Sequence, residues 1–208
     1  MKLYYITRVN IPSGAAQSVQ ITAMCEAFNN EGVEFKLIST QNNENQELQK
    51  NFLWDRIELN LRFKYLKFVI KSFIKVRKEK PTHIFTRDIV VAFLLSFLNI
   101  KVVYEAHKEP KTKTASFMIN FLKTKQNFFL VTISKALKSY YLSEYKYDNK
   151  KVLDCHDAVF FEKYDKYRNL SKMTLRRELK LPLQKTIIMH TGSLYKGNDA
   201  KLFKVVVD

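Results

Sequence analysis

Glu105 and His107 stand one residue apart at the end of Lys101-Val102-Val103-Tyr104-Glu105-Ala106-His107. A carboxylate and an imidazole are the residue types of general acid–base and charge-stabilising chemistry. Val102, Val103 and Tyr104 are strand formers in a continuous apolar run, the pattern of a central parallel strand. Ligands of open α/β sheets sit outside the carboxyl ends of the strands, so the pair falls where chemistry is done. From pattern alone, a His at a strand end is more often a surface or hydrogen-bonded structural residue than a catalyst. His83, His156 and His190 fall on different predicted strands without ligand spacing, so no metal site is expected. Cys25 and Cys155 form neither a disulfide framework nor a ligand pattern, and read as free thiols in a reducing compartment.

The elements that must position this pair follow from periodicity. Lys2–Thr7 reads as a first buried strand. The loop Arg8-Val9-Asn10-Ile11-Pro12-Ser13-Gly14-Ala15 contains turn residues, and a helix is predicted over Ala15–Glu31, stopped at Gly32. Val33–Ser39 is a second strand, which completes a βαβ unit. Small residues before a helix let a phosphate or sugar approach its first N–H groups, although a plain tight connection gives the same pattern. Thr40–Lys50 reads as a polar loop, and Phe52–Glu58 admits either strand or loop. A helix is predicted over Leu61–Lys80. Its core face is Leu66, Val69, Ile70, Phe73 and Val76, opposite a stripe of Lys64, Lys67, Lys71, Lys75 and Lys78. That stripe is either a solvated face or a surface resting on anionic lipid.

Further strands are predicted at His83–Thr86, Lys101–Ala106, Phe128–Ile133 and Lys151–Leu153. The helices between them are Ile89–Asn99, Thr112–Lys125 and one from Lys135 to about Tyr145, capped by Ser134. Strands alternating with helices in this way predict an α/β protein with a Rossmann-like, doubly wound parallel sheet. Phe160–Arg168 reads as a linker and Ser171–Lys180 as a short basic helix. Lys185–Thr191 reads as a new buried strand before a second glycine loop, Gly192-Ser193-Leu194-Tyr195-Lys196-Gly197. The predicted organisation is a domain over 1–160, a linker and helix over 161–184, and the start of a second Rossmann-like domain over 185–208.

The 208 residues are 46% hydrophobic and carry a net charge of +16. Residues 1–50 hold four Lys and Arg against five Asp and Glu, whereas residues 111–208 hold twenty against nine. Such an excess favours anionic partners. The longest apolar run, Ile89–Leu98, is too short to span a bilayer, and the N-terminus is apolar too briefly for a signal peptide. A cytoplasmic protein is expected, peripheral on the inner face of a membrane if the Lys stripe meets lipid. Aromatics among the lysines of 63–73 recur at helical spacing, which fits a core face better than a base-stacking platform, so no nucleic acid is expected.

Several short motifs occur in a telling order. They are Pro12-Ser13-Gly14-Ala15, Phe85-Thr86-Arg87-Asp88, Val103-Tyr104-Glu105-Ala106-His107, Ile133-Ser134-Lys135-Ala136-Leu137, Asp157-Ala158-Val159, Leu175-Arg176-Arg177-Glu178-Leu179 and the second glycine loop. In that order the chain resembles the N-terminal half of a family-4 glycosyltransferase of GT-B architecture, over about residues 1–197. The resemblance implies retaining transfer from a nucleotide sugar, without metal or cofactor, in cell-surface polysaccharide or lipid-linked glycan synthesis. It implies that His107 is catalytic beside the donor sugar, and that Ser13, Gly14, Ala15, Arg87, Asp88, Glu105 and Asp157 bind substrate. Gly192, Lys196 and Gly197 would hold the donor diphosphate, where a Lys with nearby N–H groups neutralises the leaving group. Glu105 is also readable as the residue that fixes the loop.

Three departures stand out. Ser193 replaces a frequent Arg, Phe160 replaces a frequent acid, and the sequence lacks the paired-glutamate motif of the donor domain before Asp208. A truncated or split enzyme, inactive without a separate C-terminal half, is the expectation. The alternatives are a non-catalytic basic module on anionic membrane surfaces, or a remnant without function.

Overall fold

The computed structural model describes residues 1–13, 15–40, 52–57, 63–158 and 164–187. It forms two compact units, Met1–Val159 and Phe160–Asp208. In the first, the chain runs β1 (Leu3–Asn10), α1 (Ala16–Asn30), β2 (Phe35–Thr40), β3 (Leu53–Ile57), α2 (Lys64–Glu79), β4 (His83–Thr86) and α3 (Ile89–Leu95). It continues through β5 (Lys101–Ala106), α4 (Lys113–Leu122), β6 (Phe128–Thr132), α5 (Lys135–Glu144), a single 3-10 turn and β7 (Val152–Asp154). The seven strands form one parallel sheet in the order β3-β2-β1-β4-β5-β6-β7. The expected Rossmann-like α/β fold is therefore present. The chain leaves β1 in one direction and returns beside it as β4, which makes the carboxyl ends of β1 and β4 the topological switch point.

Alternation along the strands builds two cores. Tyr4 and Ile6 pack with residues of α2, α3, α4 and α5, among them Phe68, Val91, Ile119 and Tyr141. Leu3 and Tyr5 point to the other face, with Ile21 and Cys25 of α1. Asn127 ties the β5 entrance together, its side-chain amide donating to the carbonyls of Leu98 and Ile100 at 3.1 and 2.7 Å.

The structure decides one open reading, corrects two expectations and extends another. Phe52–Glu58, ambiguous in sequence, contains edge strand β3, paired with β2 from Lys36↔Leu53 to Thr40↔Ile57. Its sequence LWDRI lacks a buried-strand signature because it lies at the edge of the sheet. Helix α2 buries Phe68, Val69, Ser72 and Val76, whereas Leu66 and Ile70, predicted core residues, are exposed, as is Ile74. Lys75 is not part of a free stripe. Its ammonium lies 2.5 Å from Asp55 of β3 and 3.3 Å from Glu79, which also binds Lys36 of β2 at 2.7 Å. Tyr4 of β1 donates to the same Glu79. This network fixes the rotation of α2 against the sheet edge and turns part of its apolar side outward. Finally, β1 runs past Thr7 to Asn10, and its register with β2 shifts between Ile6 and Asn10.

In the second unit, α6 (Asp165–Arg168) falls inside the predicted linker and α7 (Lys172–Glu178) matches the predicted basic helix. Ser171 caps α7 by accepting from the Thr174 N–H at 3.1 Å. Arg176 then gathers the carbonyls of Pro182, Leu183 and Lys185 at 2.7–2.9 Å. Lys185–Ile187 are not in a strand. The rest of the predicted strand and the second glycine loop, with Gly192, Lys196 and Gly197, lie outside the described residues, as does Gly14.

Candidate active site at the carboxyl ends of the strands

Register brings the central residues together. β4 and β5 pair in parallel up to Thr86↔Tyr104, so one step further Arg87 and Glu105 stand side by side on the same face. The Arg87 guanidinium grips the Glu105 carboxylate with two bonds, Nε to Oε2 at 2.6 Å and Nη2 to Oε1 at 3.2 Å. The side chains are only 9% and 4% exposed. His107 Nε2 lies 3.3 Å from Glu105 Oε1, within ion-pair range but without hydrogen-bond geometry. The His107 side chain keeps 26% of its surface open. Burial pushes the Glu105 carboxyl up, but the His107 ring and the Arg87 charge and bonds outweigh it. The carboxyl is held below the usual range.

Arg87 also reaches across to α1. Its Nη1 donates to the Gln20 carbonyl oxygen at 3.2 Å, and the Gln20 amide donates to Asp157 Oδ2 at 3.1 Å. A polar chain therefore runs from His107 through Glu105, Arg87 and Gln20 to Asp157, joining β5, β4, α1 and the loop after β7. Tyr5 lies beneath it, its hydroxyl buried without a hydrogen-bond partner among the described residues. Burial raises that phenol, and the adjacent Arg87 charge opposes the rise.

The other predicted residues divide by location. Ser13 and Ala15 flank the start of α1. The Ser13 N–H donates to Ser18 Oγ at 3.0 Å, and Ala15 supplies no side-chain cap. Asp88 is 5% exposed and caps α3, with Oδ1 accepting from the Val90 and Val91 N–H groups at 2.9 and 3.3 Å. An Asp directly before an apolar run is the sequence signal for that cap. Gln20, Arg8 and Tyr65 contact these residues and carry no sequence signal of their own.

A cleft of about 830 Å³ opens at the opposite, amino ends of β4–β6, lined by Thr82, His83, Lys101 and Asn127 among others. It lies away from the convergent polar groups. Topology and chemistry favour the carboxyl-end set as the functional site. Among the described residues no group of three or more His, Cys, Asp or Glu side chains could hold a metal ion. No helix among them is long and apolar enough to cross a membrane.

A seven-stranded parallel sheet with its polar residues gathered at the switch point defines a Rossmann-like domain of the kind that builds GT-B enzymes. Solved glycosyltransferases share it. A glycosyltransferase from Rickettsia africae ESF-5 superposes with a TM-score of 0.62 at 19% identity, over 88% of this chain and 51% of that one. WaaG, a glycosyltransferase involved in lipopolysaccharide biosynthesis, gives 0.64 at 9% identity, over 88% and 52%. Anabaena Alr3699/HepE, solved in complex with UDP and glucose, gives 0.60 at 14%, over 86% and 50%. The chain thus has the fold of one GT-B domain and spans about half the length of these enzymes. No family model and no curated protein sequence matches it.

Proposed function

We propose that this chain is the acceptor half of a retaining, nucleotide-sugar-dependent glycosyltransferase that builds cell-surface polysaccharide or a lipid-linked glycan. The observation that carries the proposal is the Arg87–Glu105–His107 set at the switch point of a fold shared with glycosyltransferases. HepE has been solved with UDP-glucose and WaaG acts in lipopolysaccharide biosynthesis, which supports a nucleotide-sugar donor and a surface-glycan product. His107, oriented by Glu105, is the catalytic group facing the donor sugar. Ser13, Gly14, Ala15 and Asp157 line the acceptor side. Gly192, Lys196 and Gly197 hold the donor diphosphate, where the Lys ammonium offsets the charge of the leaving group.

Transfer needs both walls of a cleft. The test is therefore sugar transfer from UDP-sugars by this chain with and without a separately expressed donor half. Activity only in the mixture, abolished by His107→Ala, is the expected result. Wild-type turnover in His107→Ala removes the catalytic role.

The exposed face of α2 supports a peripheral membrane location. Leu66, Ile70 and Ile74 form an open apolar stripe at i, i+4 and i+8, with Lys67, Lys71 and Lys78 exposed alongside. An apolar stripe among lysines suits the surface of an anionic bilayer. Ile70→Glu with Ile74→Glu is expected to abolish binding to phosphatidylglycerol vesicles. Unchanged binding would exclude this face.

A further inference from the structure

We propose that Arg8 is an oxyanion-binding residue, held open to receive a phosphate or carboxylate group carried by the acceptor. The geometry starts from the irregularity in β1. The strand pairs with β2 at Ile6↔Ile38 and next at Asn10↔Thr40, so four residues of β1 cover two of β2. Its pairing with β4 ends at Ile6↔Thr86. A bulge of this kind bends the strand and re-aims its side chains. Here Arg8 leans over the end of β4.

Two groups fix the guanidinium there. Its Nε faces the Asp88 carboxylate, and its Cζ lies over the Tyr65 ring, 4.1 Å from the ring centre. Tyr65 is itself held by its hydroxyl, which donates to Asp88 Oδ1 at 3.0 Å. Asp88 is anchored in turn by the first N–H groups of α3. A buried acid and an aromatic ring thus flank the guanidinium on its Nε side and over its Cζ.

The other edge is left over. The Arg8 side chain is 52% exposed although Asp88 is 4% exposed, and the two terminal Nη groups make no hydrogen bond among the described residues. A planar fork of N–H donors, locked at its base and open at its tip, matches the two oxygens of a phosphate or carboxylate. A structural ion pair alone would not need the bulge, the stacking and the free fork together. Preorganisation also lowers the entropic cost of binding.

Position links this fork to the chemistry. Arg8 lies two residues before the end of β1, and β4 separates β1 from β5, which His107 directly follows. Two strand spacings separate the carboxyl ends of β1 and β5 by about 10 Å. That separation suits a charged group on an acceptor whose attacking hydroxyl lies nearer His107. Assigning the anion to an acceptor rests on the transferase reading; the anion site itself does not.

The experiment is an NMR titration of the full chain, labelled with ¹⁵N, at constant ionic strength. Inorganic phosphate and glucuronate are the two probes, and the Arg8 Nε–H signal is the reporter. Saturation by phosphate points to a phosphorylated acceptor, and saturation by glucuronate to an acidic sugar. Arg8→Lys keeps a positive charge beside Asp88, so the variant folds, but it loses the fork and should weaken binding about tenfold. Tyr65→Leu removes the stack and should weaken it several-fold. The assignment is overturned if neither probe saturates the wild-type signal, or if backbone shifts around residue 8 saturate equally in Arg8→Lys. Either failure leaves the transferase reading intact, because that reading is tested by donor-half complementation and His107→Ala.

Discussion

Replacing Arg87 with Ala leaves the Glu105 carboxylate buried beside only the His107 ring, 3.3 Å away. Both bonds from the guanidinium, at 2.6 and 3.2 Å, disappear. Stranding one partner of a buried ion pair costs about 3–5 kcal/mol. That is a large part of the roughly 5–15 kcal/mol by which a domain is stable. With a urea slope of about 1–3 kcal/mol per molar, the unfolding midpoint should fall by about 2 M. The double replacement Arg87→Met with Glu105→Leu removes the stranded charge as well, and should recover most of the loss.

The pH dependence adds a check of sign. In the wild type the Glu105 carboxyl is held low, so its contribution is present above the unfolded value and fades as pH falls. In Arg87→Ala only the His107 ring still opposes burial, so the folded carboxyl titrates higher than in the wild type. The loss of stability as pH falls should therefore be smaller in that variant than in the wild type. Urea titrations of the full chain at several pH values measure both effects. A loss below about 1 kcal/mol, or a double mutant that costs the sum of its singles, would refute the pairing.

Other outcomes follow from the rest of the fold. Phe68→Ala should cost about 3–5 kcal/mol and Leu66→Ala less than about 0.5, because α2 buries the first and exposes the second. Equal losses in thermal or urea unfolding would contradict the rotation of the helix. Burial works to raise the Glu79 carboxyl, but bonds from Lys36, Tyr4 and Lys75 bring it down to about 2. Its stabilisation is therefore complete above 4.5 and is lost as pH falls from 4.5 towards 2. Glu79→Gln should flatten that part of the stability curve. Asn127→Ala should cost about 1–3 kcal/mol by leaving the carbonyls before β5 without their shared donor. Calorimetry would detect the shift.

Much of the scaffold was legible from residue types. Six strands and the helices between them follow from short apolar runs, Gly32 and the cap at Ser134. The edge strand β3 escaped because an edge needs no continuous apolar run, and LWDRI has none. On α2 the apolar period finds Val69, Phe73 and Val76 but misplaces Leu66 and Ile70, because lysines and hydrophobics alternate around that helix. Rotation was chosen by charge pairs to β2 and β3, not by the apolar period. At the candidate site, Glu105 and His107 stood out because a carboxylate and an imidazole directly follow an apolar strand, at the end where open α/β sheets bind ligands.

Sequence by itself determined which segments could be strands, that they alternate with helices, and that Glu105 and His107 end one of them. Those properties are local: they depend on side-chain shape, polarity and spacing within a few residues. Only the tertiary structure decided that Arg87 grips Glu105, that Gln20 carries the contact on to Asp157, and that Arg8 is clamped by Asp88 and Tyr65. These partners lie 18 to 137 positions apart in the chain. They meet because β4 returns beside β1 and next to β5, and strand order is set by the packing of whole elements, which no local pattern encodes.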